Sequence, residues 1–151
     1  MSRTNKSFLL LSGLSLAAVT AFFFKARLFS RLVEQTTSDE VLFRADTREK
    51  VVALTIDDGP HAELTPQILD LLAEYNVSAT FFIIGGQVVG NEDVMRRIVR
   101  DGHELGNHLM SDQRSITLAP EEFERQLAEA HELIAPFGPV RWFRPGSGFY
   151  S

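Results

Sequence analysis

Apolar residues are distributed along this chain in two rhythms, one continuous and one helical. Val51-Val52-Ala53-Leu54-Thr55-Ile56 is an unbroken run of apolar and β-branched residues and reads as a buried strand. Asp57-Asp58 follows, and Gly59-Pro60 turns the chain. Thr65-Pro66 then has the form of an N-cap with proline at the first helical position. Ile68, Leu69, Leu71, Leu72 and Tyr75 supply an apolar helical face, and Asn76 fits a stop. Residues 78–84 read as a second buried strand, ended by Gly85-Gly86. Asn91 opens a helix through Arg100 with Val94, Ile98 and Val99 facing inward, and residues 102–108 form a short third strand. Residues 120–134 place Phe123, Leu127, Ala130 and Ile134 at helical spacing. Residues 140–144 give a fourth strand, broken by Pro145-Gly146-Ser147-Gly148.

This order, β-α-β-α-β-α-β with short connections, predicts an α/β fold with parallel strands and outer helices. Four strands leave open sheet and barrel equally available. A complete eight-stranded α/β barrel takes about 250 residues, so 151 residues hold part of one. Ahead of this domain, Phe8 to Phe24 is a 17-residue stretch without a charge, between Arg3 and Lys6 on one side and Lys25, Arg27 and Arg31 on the other. It reads as an N-terminal hydrophobic helix, a signal anchor or a signal peptide over residues 1–31. Basic residues on both flanks leave its orientation open. Residues 32–49 are a polar tether, and the α/β domain occupies 50–151.

Charge sharpens the picture. None of the twenty acidic residues precedes residue 32, whereas five of the fifteen Lys and Arg do, so the remainder carries a net −10. That argues against nucleic acid as a partner. The absence of cysteine excludes disulfides and thiolate metal sites, so any metal is held by histidine and carboxylate.

The chemistry-bearing residues fall after strands. Side chains alternate along a strand, so Asp57 and Asp58 ordinarily face opposite ways, yet at a strand's C-terminal end both can reach one cleft. Two adjacent anions require a cation or a shared proton nearby. A solvated Asp-Asp-Gly turn is the alternative. His108 and Asp112 are four apart, and if 108–112 is a helical turn they point the same way and can share one metal. An exposed ion pair is the plainer reading of that spacing. Arg144 closes the fourth strand and points toward the acidic site, while His61 either lines the same cleft or is solvated. His103 caps or packs at the start of its strand, and His131 is structural.

Together these residues resemble the polysaccharide deacetylases, the NodB-type domain of carbohydrate esterase family four. The resemblance covers about residues 50–150. Thr55-Ile56-Asp57-Asp58-Gly59-Pro60 is similar to that family's first motif, which implies Asp57 as general base and Asp58 as a metal ligand. Gly102-His103-Glu104-Leu105-Gly106-Asn107-His108 leads into the second motif, where two histidines four apart bind the metal; His108 matches the first, and Asp112 stands where the second belongs. Phe143-Arg144-Pro145-Gly146-Ser147-Gly148 resembles the third, in which the arginine orients the catalytic aspartate and a following backbone N–H receives the oxyanion. The family has Pro-Tyr where this chain has Gly146-Ser147. The family's fourth and fifth motifs, which bring a groove wall and the histidine acting as general acid, lie further along than Ser151.

The resemblance implies a partial (β/α) barrel and a divalent ion, zinc by ligand type, held by Asp58, His108 and Asp112. Asp57 and Arg144 would be catalytic, with His61 and Ser147 on the substrate and oxyanion side. The implied function is metal-dependent hydrolysis of N-acetyl groups from peptidoglycan or a chitin-like polymer. The domain would be membrane-anchored or exported, on the extracytoplasmic side. The alternative is a catalytically inactive, membrane-anchored fragment that binds metal or glycan. Mg²⁺-dependent phosphoryl transfer is disfavoured because no glycine-rich phosphate loop accompanies the aspartate pair.

Overall fold

The computed structural model describes residues 42 and 45–146; the hydrophobic segment 8–24 and Ser147 lie outside the described residues. Within the compact unit that begins at Val51, four strands alternate with three helices. They are β1 (Thr55–Gly59), α1 (Leu64–Glu74), β2 (Thr80–Ile83), α2 (Glu92–Arg100), β3 (Glu104–Asn107), α3 (Pro120–Ile134) and β4 (Val140–Phe143). The sheet is entirely parallel with order β1-β2-β3-β4, so each helix is the crossover between neighbouring strands. Among the described residues, β1 and β4 are its edges. No helix among them is long and apolar enough to cross a membrane.

Strand alternation divides the sheet into two faces. Phe81, Ile83 and Leu105 point toward the helices and join Leu69, Leu72, Met95, Ile98, Ala130 and Ile134 in one core. Thr80, Phe82, Glu104 and Gly106 take the other face, and the register Thr55↔Thr80 sets Thr55 beside them. The site is built on this second face.

Helix ends deliver the strands in register. Asn76 adopts φ 51°, with its N–H bonded to Ala73 O at 3.1 Å and the Val77 N–H to Leu72 O at 2.9 Å. This paired left-handed stop turns the chain into β2 and matches the stop expected at Asn76. Gly102 (φ 88°) repeats the device after α2 and leads into His103 and β3.

Two local expectations are corrected. The apolar run 51–56 is not the strand: Val51 and Val52 are 63% and 94% exposed, and β1 begins at Thr55 and carries both aspartates. Pairing starts only where β2 offers a partner, with the Thr80 N–H donated to Leu54 O at 3.0 Å. Nor is Thr65 the N-cap of α1, which starts at Leu64. Glu63 occupies the N-cap position without a side-chain bond of its own, and His61 Nδ1 accepts the N–H groups of Glu63 and Leu64, both at 3.2 Å. Thr65 Oγ1 answers by accepting the His61 N–H at 2.9 Å.

Candidate active site

The two aspartates share one cleft because β1 is irregular where they sit. Its register with β2 shifts between Ile56 and Gly59, so Asp57 and Asp58 stand opposite one residue of the partner strand. Asp58 also takes a left-handed backbone, φ 64°, which breaks the alternation that would send it toward the helices. This conformation is held from outside the strand. The Gln87 amide nitrogen, in the orientation that satisfies both ends of the group, donates to Pro60 O at 2.8 Å and Asp58 O at 3.3 Å. The Ile84 N–H bonds Gly59 O at 2.8 Å.

Arg144 joins the halves of the site. Its Nη1 donates to Asp57 Oδ1 at 2.7 Å and to Thr55 Oγ1 at 2.9 Å. Its backbone N–H continues the ladder to Asn107 O at 3.0 Å, and its carbonyl meets His108 Nδ1 at 2.6 Å. A carbonyl only accepts, so Nδ1 carries the proton. In the neutral ring Nε2 is then bare, and it lies 3.4 Å from Asp58 Oδ1. His108 is buried while Asp58 is 58% exposed, so the pair opens to solvent on the carboxylate side.

Asn107 fixes the turn that presents His108. Its side chain donates to Leu127 O at 2.9 Å and accepts the Leu109 N–H at 2.8 Å, while Leu109 adopts φ 64°. Segment 108–112 is therefore bent rather than a helical turn. The geometry that would point His108 and Asp112 the same way is not formed. Asp112 is exposed on that loop, and among the described residues no three His, Cys, Asp or Glu side chains gather as a metal-holding group.

The donor set meets part of the demand of a divalent ion. A histidine with Nδ1–H on a carbonyl and Nε2 toward a carboxylate is arranged as metal-binding histidines are. Two donors, Asp58 and His108, converge, one short of the three protein ligands a catalytic zinc keeps.

That loop is locked to the third motif. The Gly146 N–H donates to Ser115 Oγ at 2.9 Å, and a Cβ at Gly146 would overlap the Gln113 carbonyl. His61 uses Nδ1 on α1, leaving Nε2 outward, and His131 is exposed on α3. His103 is buried at the opposite end of β3 against Phe81, accepting the Ala79 N–H on Nδ1 at 3.2 Å, as a packed strand-start histidine should.

The family model described as polysaccharide deacetylase matches residues 44–151. The chain belongs to the polysaccharide deacetylase family. A peptidoglycan-N-acetylglucosamine deacetylase of Bacillus cereus is 35% identical over 111 residues, 72% of this chain and 52% of that protein. A chitooligosaccharide deacetylase of Sinorhizobium fredii is 40% identical over 111 residues, again 72% of this chain and 52% of that protein. The structure of a family 4 acetyl xylan esterase from Clostridium thermocellum in complex with a cobalt ion superposes with TM-score 0.63 at 36% identity. That match covers 66% of this chain and 50% of the esterase chain. The chain thus spans about half the length of the curated relatives it matches.

Sequence reasoning about this deacetylase domain missed Thr55, Phe82, Gly106, Gln87 and Asn107. None bears obvious chemistry; the only available signal was a glycine, Gly106, inside a strand.

Proposed function

We propose that this chain hydrolyses N-acetyl groups on an amino-sugar polysaccharide of the peptidoglycan or chitin class. In this reading zinc is held by Asp58, His108 and Asp112. The observation that carries it is the single residue Arg144, which grips Asp57 with its side chain and His108 with its carbonyl. Asp57, the base in this reading, and the His108 imidazole thereby share one cleft.

In this reading Asp57 removes the proton from the attacking water, with Arg144 holding the carboxylate in place. The bound ion would supply Lewis acidity toward the acyl oxygen. A backbone N–H near Ser147 receives negative charge on that oxygen. Asp58 and His108 hold their positions through Gln87 and the Arg144 carbonyl. His61 Nε2 faces outward beside the aspartate turn, available to a sugar hydroxyl. Departure of the amine calls for a proton donor, a step worth about 10²- to 10⁴-fold. The stretch Phe8–Phe24 with its basic flanks supports membrane attachment, with the domain on the extracytoplasmic side where such polymers lie.

A second reading is supported by the position of Asp112 away from the other two donors: a domain that binds metal or glycan without turnover. The two separate by experiment. Acetate release from N-acetylglucosamine oligomers, lost in Asp57→Asn, supports the hydrolase. Stoichiometric zinc, lost in Asp58→Ala and His108→Ala, with no acetate released supports the second.

A further inference from the structure

Phe82 is out of place as a core residue. Phe81 and Ile83, its neighbours on β2, face the helices, whereas Phe82 points to the opposite face, which no helix among the described residues covers, and is nevertheless only 6% exposed. Two features account for its burial. Gly106 stands directly across on β3, and a Cβ there would come within 2.6 Å of Phe82 Cδ1 and 2.7 Å of Cε1. The ring therefore occupies the space of the side chain that Gly106 lacks. On its exposed side lies the Arg144 guanidinium, with Cζ 4.1 Å from the ring centroid.

Arg144 projects from the end of β4, yet its Nη1 reaches Thr55 and Asp57 on β1, two strands beyond its neighbour β3. A flexible side chain crossing that distance loses much rotamer freedom, and a planar cation is best held by a flat surface beneath it. The aromatic face supplies that surface and attracts the charge through its quadrupole. Thr55 Oγ1 fixes the azimuth, because Nη1 divides its hydrogen bonding between the hydroxyl and the Asp57 carboxylate.

We infer that Phe82 is a positioning residue for Arg144, and that Gly106 and Thr55 complete the platform that aims the guanidinium at Asp57. This rests on the proposed role of Asp57 as base, but the contact itself is testable without turnover. The full chain is prepared with 4-fluoro-, 3,5-difluoro- and 3,4,5-trifluorophenylalanine at position 82, a series that keeps the ring's shape and progressively weakens its negative face. ¹⁵N NMR, assigned with Arg144→Lys, follows exchange of the Arg144 guanidinium protons.

Exchange should accelerate stepwise across the series, by about 2- to 5-fold in total. Phe82→Tyr should behave as the native protein, and Phe82→Leu should exceed the trifluoro variant. Equal exchange rates throughout the series and in a folded Phe82→Leu would overturn the inference. If exchange responds as expected but Asp57→Asn leaves acetate release unchanged, the platform stands and the base assignment falls. Where turnover is measurable, kcat should decline in the same order with KM little altered.

Discussion

The carbonyl of Arg144 receives the Nδ1–H of His108 at 2.6 Å, from the same residue whose guanidinium holds Asp57. One strand end thus sets the tautomer of the imidazole and the orientation of the carboxylate. Because the acceptor is a backbone carbonyl, no rotamer change at Arg144 releases His108. Long-range ¹H–¹⁵N correlation on the neutral ring should therefore show a protonated Nδ1 and a bare Nε2. The same tautomer should persist in Arg144→Lys, and added zinc should shift Nε2 alone. An Nε2–H tautomer in the metal-free protein would contradict this geometry.

The two functions of the cleft should separate under mutation. Asp57 is bonded to Arg144 and not to His108, so Asp57→Asn should lower kcat by about 10²-fold or more while leaving zinc affinity close to native. His108→Ala and Asp58→Ala should instead abolish stoichiometric zinc, measured by calorimetry on folded protein. Asp112→Ala is the informative third. If the loop swings in to complete the ligand set, this variant weakens zinc by about 10-fold or more. If not, its affinity matches the native chain.

How far the sequence carried depends on whether a feature is local. Glycines, Asn76 and apolar spacing fix helix ends and strand order within a few residues, so the parallel β-α alternation and the strand-end placement of Asp57, Asp58, His108 and Arg144 were legible. The start of β1 was not, because an apolar run does not reveal where its neighbour begins to pair. The bend at 108–112 was hidden for a related reason. It depends on Asn107 finding Leu127 O twenty residues away, and i,i+4 spacing alone suggests a helix. The expectation for residues 8–24 and for Ser147 lies outside the described residues. Phe82 read as core because it lies in the apolar run 81–84, and only the pairing with Gly106 shows which face it serves.

Gly146 should prove indispensable to the local structure. Its N–H is bonded to Ser115, and the Gln113 carbonyl fills the space where a side chain would begin. Gly146→Ala should destabilise the domain by about 1–3 kcal/mol in urea melts, through a clash with backbone that cannot rotate away. Gly146→Pro removes the donor as well and should be worse. Ser115→Ala isolates the hydrogen bond and should cost about 0.5–1.5 kcal/mol. Equal stability of Gly146→Ala and the native chain would mean that the 111–115 loop shifts freely, which would also reopen the path of Asp112 toward His108.

His103 makes the domain sensitive to mild acid. Burial disfavours its charged form and lowers its pKa below the ordinary 6.5, with nearby Asp101 opposing the shift weakly. Its Nδ1 accepts the Ala79 N–H, so protonation there also breaks the bond that joins the starts of β2 and β3. With the folded pKa depressed, the unfolded chain takes up the proton first. This histidine's contribution is therefore complete above pH 6.5 and is lost as pH falls from 6.5 through the folded value. The contribution of His103 is isolated by comparing the native chain with His103→Gln. Thermal melts from pH 8 to pH 5 should show a steeper decline for the native chain than for the variant. The variant should be the less stable of the two at pH 8, where the native imidazole is neutral and fully bonded. Parallel pH profiles would show that His103 remains neutral throughout and contributes packing alone.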